Sequence, residues 1–121
     1  MNSNESIEDL VPLREPTFLI LLSLSVVERH GYAILKDVEE LSTGKVVMST
    51  GTLYEALARL LEQGLIERVE ASQVEQKESH PGCPRKIYQL SSRGRRVLKA
   101  EASRMQSLVV TTQQRLGEIS V

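Results

Sequence analysis

Aromatic side chains are scarce: three Tyr, one Phe and no Trp, 3% of 121 residues. Any core must therefore be aliphatic, drawn from the Leu, Val, Ile and Ala within an apolar fraction of 40%. Cysteine occurs once, as Cys83, which excludes an intramolecular disulfide and fits a reducing cytoplasm. His30 and His80 with that one thiol make no zinc-ligand spacing, and no partnered His and acid is visible beside the serine-rich turn. An enzyme is therefore not expected, nor a metal or other cofactor. Long apolar runs are also missing. The longest, "FLILLSLSVV" (Phe18 to Val27), is about half a bilayer span. The opening "MNSNESIEDL" is polar and acidic, without the basic-then-apolar pattern of a signal sequence. One domain is expected, cytoplasmic and without membrane contact.

Net charge is close to balance, at −1, but its distribution is not. Residues 1–48 carry four Lys and Arg against eight Asp and Glu, and residues 49–121 carry eleven against eight. Between 85 and 104 the ratio is seven (Arg85, Lys86, Arg93, Arg95, Arg96, Lys99, Arg104) to one (Glu101). Such asymmetry suits an anionic partner, although a solvated basic surface gives the same pattern.

What is present is helical periodicity followed by alternation. Residues 1–12 have no periodicity, and 1–14 read as a flexible N-terminal arm. Pro16 can open a first helix through "TFLILLSLSVVER", with Leu19, Leu22 and Val26 as its inner stripe. Gly31 would end that helix in the left-handed conformation. "YAILKDVEELST" (Tyr32 to Thr43) gives a second helix closed by Gly44. A third begins at Ser49 or Thr50. Its Leu53, Leu57, Leu60 and Leu61 fall on one core-facing arc, with Thr52, Glu55, Ala56, Arg59 and Gln63 opposite. Gly64 stops it. "LIERVEA" and "RKIYQL" then read as two strands of a hairpin, separated by the polar tip "SQVEQKESHPGCP".

The last helix starts at Ser91 or Ser92 and reaches Leu116. Leu98, Met105, Thr112 and Ile119 lie seven apart, as do Ala102, Val109 and Leu116, and Leu108 adds to the same apolar seam. No other helix of this length exists to cover it, so a second copy of the chain is the economical partner. Folding back onto the chain's own first helix is the rival, and both arrangements can coexist.

The expected fold is therefore mainly α with a small β-hairpin (α+β): a winged helix-turn-helix over 15–90 and a C-terminal dimerisation helix over 91–121. That arrangement suits double-stranded DNA, because a major groove about 12 Å wide admits one helix while a hairpin reaches the flanking backbone. The third helix opens on Ser49, Thr50, Gly51 and Thr52, where one capping residue would serve. Gly51 weakens the helix relative to Ala, and open first-turn N–H groups form an anion site at the positive end of the dipole. Glu55, Arg59 and Gln63 are placed to reach base edges, and a solvated face with a Glu55–Arg59 pair is the plain alternative. Tyr32 and Tyr54 combine a packed ring with a hydroxyl that can meet phosphate. Lys77 and His80 in the tip, with Arg85 and Lys86 at its base, are candidate backbone contacts. Arg93, Arg95 and Arg96 oppose the dipole of the last helix, which an external anion or links to acids of the first helices would offset.

"RHGYAILKDVEE", "STGTLYEALARLLEQGLIE" and "GCPRKIYQLSSRGRRVL" resemble, in order and spacing, the signatures of PadR-like transcriptional regulators, bacterial winged-helix repressors. The resemblance spans about residues 16–105. It implies a homodimer whose C-terminal helix pairs with its mate and with the first helix, bound to an operator of two-fold symmetry. It also implies DNA contact at Tyr32, Ser49 to Thr52 and Tyr54, with Arg85 and Lys86 at the wing's base. A small-molecule effector is implied by analogy, and the seam around Met105, Leu108 and Val109 can host an apolar one. The sequence departs from the pattern in Gly82-Cys83-Pro84 before the basic pair, in Ile87-Tyr88 on the last strand, and in a short C-terminal segment without Trp. A winged-helix module that binds another regulator is the alternative function.

Overall fold

In the computed structural model of the chain, residues 6–69 and 86–119 are described. A 3-10 helix (Ile7–Leu10) leads into α1 (Glu15–Ser23), β1 (Arg29–His30), α2 (Gly31–Leu41) and α3 (Thr50–Glu62). β2 (Ile66–Val69), β3 (Ile87–Leu90) and the long α4 (Ser92–Arg115) complete the order. The three strands form one antiparallel sheet in the order β1-β3-β2. Ile66 pairs with Leu90 and Val69 with Ile87, as the expected hairpin requires.

α1 stops at Ser23, well short of Gly31. The Ser25 hydroxyl donates to the Leu22 carbonyl at 2.7 Å, and Arg29 Nε donates to the Ser23 carbonyl at 2.9 Å. These bonds satisfy carbonyls that a continuing helix would have used. Val26 is 86% exposed and does not belong to the inner stripe. Arg29 and His30 instead pair with Tyr88 and Ile87 as a third strand. Gly31 accordingly begins α2 rather than ending α1, and His30 caps it, Nδ1 accepting the Ala33 N–H at 3.4 Å. Gly44 and Gly64 follow the expectation, with φ of +81° and +75° at the turns after α2 and α3.

The core is aliphatic. Leu19, Ile20, Leu21 and Leu24 of α1 and its turn meet Ile34 and Val38 of α2 and Leu53, Leu57 and Leu60 of α3. Ala56, expected on the outer face of α3, is also buried. Ile87 and Tyr88 of the central strand β3 are both buried, and Tyr88 joins the core cluster. Ser91 locks the hairpin to α4: its hydroxyl accepts the Gly94 N–H at 2.9 Å and donates to the Gly64 carbonyl at 2.6 Å. There Gly94 lies against the Leu65 carbonyl, where a Cβ would overlap it.

The segment before α1 is packed rather than free over Ile7–Leu10, which contacts α4. Ile7, Leu10, Val11 and Leu13 are partly buried against the core. The Leu13 N–H donates to Glu101 Oε2 at 2.9 Å, and Arg104 donates to both carboxylate oxygens, at 2.7 and 3.0 Å. Glu101 is 1% exposed, a buried charge held on three sides. Among the described residues no helix is long and apolar enough to cross a membrane.

Candidate nucleic-acid interface

α3 presents one continuous outer face. Ser49, Thr50, Gly51, Thr52, Tyr54, Glu55 and Arg59 are all exposed. Ser49 is the N-cap: its hydroxyl accepts the Thr52 N–H at 3.1 Å and donates to Thr52 Oγ1 at 3.0 Å. That hydroxyl is engaged within the cap, and the Thr52 hydroxyl retains its own proton to donate elsewhere. The first-turn amides of Thr50 and Gly51 have no helical acceptor within reach. A Cβ at Gly51 would meet nothing nearer than the Ser49 hydroxyl at 4.0 Å, and the residue is not in the left-handed region. Among the described residues nothing requires glycine at this position.

Glu55 and Arg59 do not pair. Among the described residues the ion pairs are Arg29–Asp37 at 3.6 Å and Arg104–Glu101 at 2.7 Å. Gln63 stands apart as the half-buried C-cap of α3, its carbonyl accepting from Arg93 Nε at 3.2 Å. Arg95 Nη2 reaches the Ser25 carbonyl at 3.4 Å. Backbone carbonyls of this chain thus accept from two of the three arginines that open α4.

Tyr32 stands 65% exposed on the first turn of α2. Tyr54 is 44% exposed, and the end of its ring lies on Gly31: a Cβ there would overlap the hydroxyl and sit 2.8 Å from Cζ. The Tyr54 hydroxyl therefore occupies the junction of α2 and α3 instead of projecting outward. Beside it is Tyr88, buried on β3. Burial pushes the Tyr88 phenol above its ordinary value of 10.0, the Tyr54 hydroxyl adds to the shift, and Arg68 opposes it.

Lys86 is exposed immediately before β3. Lys77, His80, Cys83 and Arg85 lie outside the described residues. The α4 seam divides into two parts. Leu98 packs on the core and Met105 is half-buried, whereas Ala102, Leu108, Val109, Thr112 and Leu116 are exposed. Its first turns are covered by α1 and the 3-10 helix of the same chain. Its second half is left open.

Three helices, a three-stranded antiparallel sheet and an outward-facing third helix define a winged helix-turn-helix protein. The profile of the transcriptional regulator PadR-like family matches residues 20–100, and the chain belongs to that family. It is thus a transcriptional regulator and not an enzyme. Similar solved structures agree on the fold. A PadR family transcription regulator from Clostridium difficile R20291 is 24% identical, with a TM-score of 0.67 over 85% of this chain and 99% of that one. A PadR-like transcription factor from Bacteroides fragilis is 26% identical, with a TM-score of 0.65 over 81% of this chain and 86% of that one. Bacillus subtilis PadR in complex with operator DNA is 23% identical, with a TM-score of 0.59 over 72% of this chain and 47% of that one. A comparison with curated proteins finds no match.

Proposed function

We propose that this chain is a cytoplasmic, sequence-specific DNA-binding repressor that acts as a homodimer on an inverted-repeat operator. α3 enters the major groove, its glycine-opened tip meets the phosphates, and Glu55 and Arg59 read base edges. Tyr32 contacts the backbone next to it. Lys86, with Arg85 and Lys77 of the wing, contacts the flanking backbone. Operator DNA is the partner of the Bacillus subtilis PadR structure, and the shared fold supports the same partner here.

The observation that carries the reading is Gly51. Glycine in the first turn is unfavourable by up to about 1 kcal/mol relative to Ala, and no contact among the described residues calls for it. An external backbone that must come close does call for it. The open half of α4 and the turn after it support the dimer: Leu108, Val109, Leu116 and Ile119 are between 41% and 67% exposed, which a second copy would cover. A small apolar effector at Met105, Leu108 and Val109 would bias one dimer arrangement over another and release the operator.

The test is duplex binding at a series of salt concentrations. Affinity supplied by phosphates falls linearly on a log–log plot. Gly51→Val weakens binding to every duplex alike and leaves the dimer intact. Replacing Arg85 and Lys86 by Ala flattens the salt slope by about 0.9 per lost contact. A Gly51→Val protein that binds DNA normally overturns the role given to the helix tip. A wild-type chain that ignores duplex at low salt favours the protein-binding module instead.

A further inference from the structure

The fold delivers Arg14 to the same face as Thr52, Glu55 and Arg59. It is the N-cap residue of α1, exposed, with an extended backbone at φ −70° and ψ 150°. Its side chain lines two adjoining clefts of about 260 and 250 Å³. Both clefts are shared with Arg59, and the second also contains Thr52 and Glu55 of the outer face of α3. Among the described residues no hydrogen bond or ion pair engages the Arg14 guanidinium. A cation at the first position of a helix opposes the helix dipole, so α1 itself gains nothing from this charge.

The backbone that carries Arg14 is tied down from far away in sequence. The preceding residue, Leu13, donates its N–H to the buried carboxylate of Glu101, 88 positions later on α4. Arg104 holds that carboxylate in place. A merely solvated arginine would not need its backbone fixed in this way. A guanidinium that must meet a phosphate beside α3 would, because an ordered donor loses less freedom on binding.

We infer that Arg14 is a further phosphate contact beside α3, and that Glu101 is its positioning residue, aiming it through the Leu13 amide. This rests on the reading that the outer face of α3 meets duplex DNA. Arg14 then extends the footprint of Thr52 and Arg59 toward the start of α1. Because Glu101 sits on α4, the same link joins the open C-terminal helix to the DNA-facing surface.

The experiment measures binding of the full chain to a random-sequence duplex across a salt series, for wild type, Arg14→Ala, Arg14→Lys, Glu101→Met and the Arg14→Ala/Glu101→Met double variant. Arg14→Ala is expected to make the log–log slope shallower by about 0.9 per bound protomer, and Arg14→Lys to keep most of it. Glu101→Met is expected to lose part of the same slope, and the double variant no more than Arg14→Ala alone. A mere loss of folding stability would weaken binding in both backgrounds without moving the slope. An Arg14→Ala protein with the wild-type slope overturns the contact, and a double variant shallower than Arg14→Ala overturns the positioning role. Arg14 is a surface residue, so its test stands whether or not the Glu101 variant folds. If wild type itself shows no salt-dependent binding, the proposed function fails first; if wild type binds and Arg14→Ala matches it, only this inference fails.

Discussion

Replacing Glu101 by Met asks whether one buried carboxylate holds the N-terminal segment on α4. Met has similar length and no acceptor oxygen, so the Leu13 N–H loses its partner at 2.9 Å. A hydrogen bond to a charged group contributes about 1.5–3 kcal/mol. The apolar end of Met recovers about 0.8 kcal/mol, the value of one buried CH₂ group. The loss of the Leu13 bond alone then amounts to about 1–2 kcal/mol at neutral pH, and Arg104, which keeps its charge but loses both bonds to the carboxylate, adds to it. Exchanging a whole buried ion pair for apolar residues is often neutral. Here one donor is a backbone amide that no substitution removes, which is why a loss is expected.

The pH dependence gives the same argument a sign. The hydrogen bonds from Arg104 hold the Glu101 carboxyl below its ordinary value of 4.5, the Leu13 amide adds to this, and burial opposes it. A carboxylate with a lowered folded pKa contributes stability that is present above the unfolded value and is lost as pH falls through the folded one. Urea unfolding at fixed protein concentration is therefore expected to separate wild type from Glu101→Met at pH about 7, and the difference is expected to shrink as pH falls below the ordinary carboxyl value of 4.5 and through the lowered folded one. Amide exchange at Leu13 should accelerate in the variant. A variant as stable as wild type at neutral pH, with Leu13 still protected, refutes the latch.

Two close approaches make a paired prediction. Gly94→Ala drives a Cβ into the Leu65 backbone, which cannot move aside, and is expected to cost about 1–3 kcal/mol or more in chemical denaturation. Gly31→Ala meets only the far end of the half-exposed Tyr54 ring, so it should cost less while displacing that ring, visible as changed near-ultraviolet absorption. Tyr88 should ionise above its ordinary value of 10.0 in a spectrophotometric titration, and Tyr54→Phe should bring its pKa part of the way back. Because the folded pKa is raised, the stability linked to Tyr88 is present below the unfolded value and is lost as pH rises through the folded one. A Tyr88 transition unmoved by Tyr54→Phe would place the two hydroxyls farther apart than described.

Much of this molecule was legible before any coordinates. The seven-residue and four-residue spacings of Leu53, Leu57 and Leu60 define the inner face of α3 without reference to anything else, because helix geometry alone brings those positions together. Ser49 and Ser91 as caps, and Gly44 and Gly64 as turns, are equally local. Each is decided by hydrogen-bonding capacity or φ within a few residues of the position. The Ser49 to Arg59 candidate face followed from the same periodicity.

The misreadings share a different origin. "SLSVVERH" continues an apolar pattern and looks helical. It ends as a strand because Arg29 and His30 find backbone partners at Tyr88 and Ile87, nearly sixty residues away. Tyr88 becomes core only because its face of β3 packs in the cluster built by distant helices. Ile7 to Leu13 show no periodicity, since what orders them is not their own pattern but α4 and the carboxylate of Glu101. Arg14 acquires its surroundings from α3 in the same way. Local capping and spacing are properties of short stretches and can be read in one dimension. Strand pairing, the burial of a charge and the gathering of Arg14 with Arg59 depend on which distant segments meet, and only the folded chain decides that.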